Sequence, residues 1–85
     1  MKTGEIIKYP LSSEKSVRLM EAENKLLFVV DRHATRQQVK EAIEELFKVK
    51  VTGVNIMIDG STKKAYVKLS SETPAIDIAT QLGLV

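Results

Sequence analysis

Cysteine and tryptophan are absent from the 85 residues, and there is a single histidine. Without thiols the chain has no disulfide framework, no thiolate metal site and no cysteine nucleophile. His33 alone cannot build a histidine cluster, and most of the acids fall on apparent helix faces, so neither a metal nor any other cofactor is expected. The four glycines form no phosphate-binding loop, and there is no nucleophile elbow or calcium-loop spacing. No apolar stretch approaches the roughly 20 residues of a membrane helix, and the first residues lack the apolar region of a signal peptide. The expectation is a soluble, cytoplasmic chain that binds and is not an enzyme. His33, after Asp31 and Arg32, reads as a loop residue, and Glu41, Glu44 and Glu45 read as a solvated helix face.

What is present suits one domain over residues 1–85. Hydrophobic residues make up 44% and charged residues 28%, and a chain this short buries only about 60% of its unfolded surface. Glu5 to Tyr9, stopped by Pro10, fits an edge strand. Ser12 or Ser13 can cap a short helix running to Glu21. Lys25 to Val30 is a continuous apolar run too short for most helices, hence a central strand. Thr35 and Gln38 have capping-box spacing, and Val39, Ala42, Ile43, Leu46 and Phe47 then recur with helical period as a core stripe. Lys48 stands four residues after Glu44, in the order that favours an ion pair.

From Val49 the period becomes two. Val49, Val51, Gly53, Asn55 and Met57 are expected on one face of a strand, with Lys50, Thr52, Val54, Ile56 and Ile58 on the other. Asp59 to Thr62 turns the chain, and Lys63 to Leu69 returns with Ala65, Val67 and Leu69 on one face and Lys64, Tyr66 and Lys68 on the other. A last helix begins with Pro74 at its first position, carries Ile76, Ile78, Ala79 and Leu82, and stops at Gly83. The pattern predicts an α+β fold: a mostly antiparallel four-stranded sheet, near residues 5–9, 25–30, 49–58 and 63–69, covered by helices.

The net charge of +2 is small, but its placement is uneven. Between Leu46 and Ser70, Lys48, Lys50, Lys63, Lys64 and Lys68 face the single acid Asp59, a net +4, while the rest of the chain sums to −2. Such a hairpin can hold a polyanion. Equally, lysines on exposed strands guard against edge pairing. Lys64, Tyr66 and Lys68 set a ring between two cations on one strand face, a pattern suited to RNA, though Tyr66 could also cover the rim of the core. Asn55 is open to two readings as well, a nucleotide contact or a bulge.

The strings Tyr9-Pro10-Leu11-Ser12-Ser13-Glu14-Lys15-Ser16, Asn24 to Asp31, Ile43 to Val51 with Val54-Asn55, and Lys63 to Leu69 resemble the ribosomal protein L23 family, as does Ala75 to Gly83. The compact length is similar to archaeal members. Two departures stand out: Ile56-Met57 follow Asn55 where the family often has threonine, and the turn from Asp59 to Thr62 is short. The resemblance implies a structural constituent of the large ribosomal subunit that binds ribosomal RNA beside the polypeptide exit tunnel and contacts neighbouring ribosomal proteins. It also implies a docking surface for the signal recognition particle or a chaperone. The candidate RNA-binding residues are Lys8, Tyr9, Lys15, Lys48, Lys50, Asn55, Lys63, Lys64, Tyr66 and Lys68; Glu14 and Glu21, on an acidic side unsuited to phosphates, are the candidate docking residues. Two rivals remain: a small metabolite-binding regulatory module, and a phosphate-ester hydrolase pairing Arg32 or Arg36 with Asn55.

Overall fold

The computed structural model describes residues 3–83; residues 1, 2, 84 and 85 of the expected 1–85 domain lie outside the described residues. In chain order the elements are α1 (Thr3–Ile6), β1 (Ile7–Pro10), α2 (Glu14–Glu23), β2 (Lys25–Val30), α3 (Arg36–Phe47), β3 (Val51–Asp59), β4 (Thr62–Leu69) and α4 (Ala75–Gln81). The expected α+β class is borne out. The strands make one sheet in the order β1-β2-β4-β3, every neighbouring pair antiparallel.

The helices deliver their apolar residues to the same face of this sheet. Ile6, Met20, Val39, Ala42, Ile43, Ala75, Ile78 and Ala79 pack with Leu26, Phe28, Val30, Val51, Val54, Ala65, Val67 and Leu69 in one buried cluster. The other sheet face carries no helix except at one edge. There β1 stops at Pro10, part-way along β2, and the chain continues with the Leu11 N–H bonded to the Leu27 carbonyl. α2 then stands beside the first half of β2, where Ser16, Val17 and Met20 line one recess together with Leu26 and Leu27.

Local chemistry explains where the helices begin. At α3 the expected capping box is complete: the Thr35 N–H donates to Gln38 Oε1 at 2.9 Å, and the Gln38 N–H donates to Thr35 Oγ1 at 3.1 Å. α2 uses a serine version, in which the Ser13 N–H donates to Ser16 Oγ at 2.7 Å and the Ser16 N–H donates to Ser13 Oγ at 3.2 Å. It runs two residues beyond the expected Glu21 and ends at Asn24, whose left-handed backbone (φ 56°) reverses the chain.

Several expectations are corrected. Glu5 and Ile6 belong to α1 and not to the first strand: the ladder with β2 ends at Ile7 opposite Val30, and beyond it the Ile6 carbonyl accepts the Asp31 N–H at 2.9 Å from the last turn of the helix. The third strand starts at Val51 instead of Val49, and its face assignment changes. A bulge between Val51 and Gly53 resets the alternation, so that Val51 shares the inner face with Val54 and Ile56, opposite Leu69, Val67 and Ala65. Glu44 does not pair with Lys48. Its carboxylate accepts the Val51 N–H at 3.1 Å, and Lys48 is the left-handed cap of α3. Pro74 precedes the first helical position of α4 instead of filling it, and Ile76 points outward, whereas Gly83 (φ 74°) ends the helix as expected.

Leu46 is the clearest departure in the core stripe, at 48% exposure. The space under the last turn of α3 is filled by Phe47, whose ring stacks on Phe28 with centroids 6.3 Å apart, although Phe47 itself is only partly buried. Leu46→Ala should therefore change stability by no more than about 0.5 kcal/mol. Phe47→Ala should cost about 2 kcal/mol, below the 3 to 5 of a fully buried ring. Urea titration of both variants checks the order; equal losses would mean that the stripe includes Leu46 after all.

Candidate nucleic-acid interface

Antiparallel partners stand on the same side of a sheet, so the register defines the open face. Across its centre, Lys64, Tyr66 and Lys68 of β4 lie opposite Met57, Asn55 and Gly53 of β3, and opposite Val29, Leu27 and Lys25 of β2. Tyr9 of β1 lies opposite Val29. Leu27 and Val29 are buried even though they face away from the core cluster, so they form an apolar floor beneath the polar side chains. Tyr66 is set between the two lysines of its strand, as expected, and Asn55 is exposed directly across from it.

Lys15 joins this face from α2. Its Nζ stands 5.6 Å from the centre of the Tyr66 ring, a cation over an aromatic face. Met57 and Tyr9, each about half exposed at 51% and 53%, add two large side chains that flat rings can rest on. Lys64 and Lys25 have nearby acids: Lys64 Nζ is 3.3 Å from Asp59, and Lys25 Nζ is 3.1 Å from Glu23. In each pair the lysine stem is mostly covered and the acid is the exposed partner, so the pair is open to water and weak, and a phosphate can compete for either ammonium.

The remaining candidates are placed elsewhere. Lys63 points to the helix side at the hairpin end, where its Nζ donates to the Ala34 carbonyl at 2.7 Å and the Arg32 carbonyl at 3.4 Å, tying the β2–α3 loop to β4. Lys48 caps α3, and Lys50 sits in the link to β3, its carbonyl accepting the Ser70 N–H. Lys8 is exposed on the edge strand β1. Glu14 pairs with Arg18 at 2.6 Å, and Glu21 is exposed on the same helix. Arg36 rises from α3 on the covered side while Asn55 stands on the open side, so that hydrolase pair is not assembled. The recess lined by Pro10, Val17, Met20, Leu26 and Phe28 holds about 10 Å³, room for one water and not for a metabolite. Among the described residues no group of three His, Asp or Glu side chains could hold a metal ion, and no helix is long and apolar enough to cross a membrane.

Sequence reasoning put Gly53 and Met57 on one strand face with Asn55, as the register has them, but named neither as a site residue, and it missed Lys25 and Leu27. Lys25 opens an apolar run, and its side was legible only once β2 was paired with β4.

The family model described as Ribosomal protein L23 matches residues 5–76. The chain belongs to that family. All the candidate residues, from Lys8 to Lys68, fall inside the span that the L23 family model matches. The large ribosomal subunit protein uL23 of Thermoplasma acidophilum is 48% identical over 81 residues, covering 95% of this chain and 96% of the relative. The large ribosomal subunit protein uL23 of Methanococcus aeolicus is 45% identical over 85 residues, covering 99% of each. The resemblance seen in the scattered strings of sequence is thus borne out along nearly the whole chain.

Proposed function

We propose that the open face of the sheet is where this protein of the large ribosomal subunit, a resident of the cytoplasmic ribosome, holds ribosomal RNA beside the polypeptide exit tunnel. The carrying observation is Tyr66 between Lys64 and Lys68, with Asn55 across from it and the helix-covered core on the opposite side. Lysines neutralise phosphates and release counterions, the rings of Tyr66 and Tyr9 give bases a surface to stack on, and the Asn55 amide donates and accepts hydrogen bonds. The strands hold these groups at fixed spacing, so little ordering is left to the moment of binding. No bond is made or broken; the protein works by positioning RNA and neighbouring ribosomal proteins. Affinity for a structured large-subunit RNA fragment should fall steeply with salt, and a salt-independent affinity would refute the reading.

α2 offers the other half of the proposed role. Its exposed Glu14 and Glu21 lie on an acidic helix, and a basic targeting factor, the signal recognition particle or a chaperone, is steered by such charges. Reversing both to lysine should slow association of ribosomes with the factor, read by stopped-flow at low ionic strength, while incorporation into the subunit continues. Lost incorporation with normal factor association would put RNA and partner on the wrong sides.

A further inference from the structure

A groove along the free edge of the sheet lies outside the residues assigned above to RNA, apart from its shared corner at Gly53. β3 is an outermost strand, and between it and the first turns of α3 runs a groove of about 320 Å³ lined by Arg36, Gln37, Lys40, Gly53 and Val54. Helical geometry sets Arg36 and Lys40 on one side of α3, about 6 Å apart along its axis. Like charges at this spacing repel and weaken a helix unless an anion lies between them.

Among the described residues, no acid is paired with either cation. Glu14, Glu23 and Asp59 pair with Arg18, Lys25 and Lys64. Glu41 accepts from Gln37 at 3.0 Å, and Glu44, next along the row from Arg36 and Lys40, is turned to the Val51 N–H. The corner of the groove is bare for no reason of fold. Gly53 does not have a positive φ, and a Cβ there would meet nothing within 4 Å, so neither conformation nor packing demands glycine. The missing side chain leaves the backbone of the bulged edge strand open where the groove meets the lysine face, opposite Lys68.

We infer that this groove is a second seat for the phosphodiester backbone of ribosomal RNA. The Arg36 guanidinium grips phosphate oxygens as a fork, Lys40 meets them as a point charge, and Gly53 lets the strand pass close around the sheet edge from the open face. An acidic protein segment would also match two cations. RNA fits better because groove and lysine face are continuous through Gly53 and Lys68, so that one polyanion can occupy both. The inference rests on the open-face reading.

The test is binding of an Arg36→Gln, Lys40→Gln double variant to a large-subunit RNA fragment over a range of salt. The fold should persist, shown by an unchanged thermal midpoint, and the slope of log Kd against log salt should fall by about 1.4 to 1.8 for two lost phosphate contacts. That fall should add to the one caused by substituting Lys25, Lys64 and Lys68. The charge-keeping Lys40→Arg should leave the slope intact, and Gly53→Glu, for which there is room, should weaken binding. An unchanged slope in the double variant, with a flattened one in the open-face variant, would overturn the groove and leave the open-face reading standing. If neither variant flattens the slope, both readings fall. Normal binding to naked RNA, with loss of incorporation beside a neighbouring ribosomal protein, would assign the groove to a protein segment and overturn the inference.

Discussion

Substituting Lys25, Lys64 and Lys68 together by glutamine should lower the salt slope of RNA binding by about 2 to 3 logarithmic units, at 0.7 to 0.9 per lost phosphate contact. Glutamine keeps most of each stem over Leu27 and Val29, so the apolar floor stays covered and the loss reports charge and not folding. The effect has a second source. Asp59 and Glu23, each now beside one of these lysines, would be left unpaired at the rim of the face and would repel phosphates. Lys63 is excluded from the set even though it adjoins Lys64 in sequence, because its ammonium is held by the Ala34 and Arg32 carbonyls on the other side of the sheet. A filter-binding series from low to moderate salt measures the slope. A folded triple variant with the parent's slope would remove the lysine face from the RNA contact.

Asn24→Ala should destabilise the fold by about 3 to 4 kcal/mol, more than its partly buried position at a helix end suggests. The Asn24 Nδ2 lies 3.1 to 3.2 Å from the carbonyls of Leu69, Ser70 and Thr73, and its Oδ1 accepts the Ala75 N–H at 2.6 Å. That last bond is a helix cap supplied from 51 residues away, and it replaces the one Pro74 lacks the side chain to make. Each hydrogen bond contributes about 1 kcal/mol net, and alanine adds roughly 1 kcal/mol for the left-handed backbone that asparagine tolerates. Asn24→Gly removes the bonds without the backbone strain, so it should lose about 1 kcal/mol less than alanine. Denaturant midpoints of the two variants test this, and losses below about 1 kcal/mol would mean that α4 docks without the clamp.

Much of this was legible in the sequence because it rests on local chemistry. The Thr35–Gln38 box, the apolar run of β2, the turn at Gly60 and the alternation of β4 are each decided by residues within a few positions of one another. Tyr66 between two lysines on one face follows from period two alone. What escaped was non-local. The bulge at Gly53 is a property of how β3 meets β4, and it moved Val51 from its expected side to the side of Val54. The Asn24 clamp joins residues that only the fold makes neighbours. Lys63 and Lys64 look alike in sequence, yet adjacent strand positions put one on the loop and the other on the open face. The Lys15–Tyr66 contact was invisible for the same reason, since it depends on α2 replacing β1 at the sheet edge.

The central claim is that RNA covers the open face. Amine-reactive labelling of lysines, compared between the free protein and the assembled large subunit and read by peptide mass spectrometry, tests it most directly. Lys25, Lys64 and Lys68 should react in the free protein and be shielded in the subunit. If these three label as fast in the subunit as in the free protein, RNA does not lie on this face and the account is wrong.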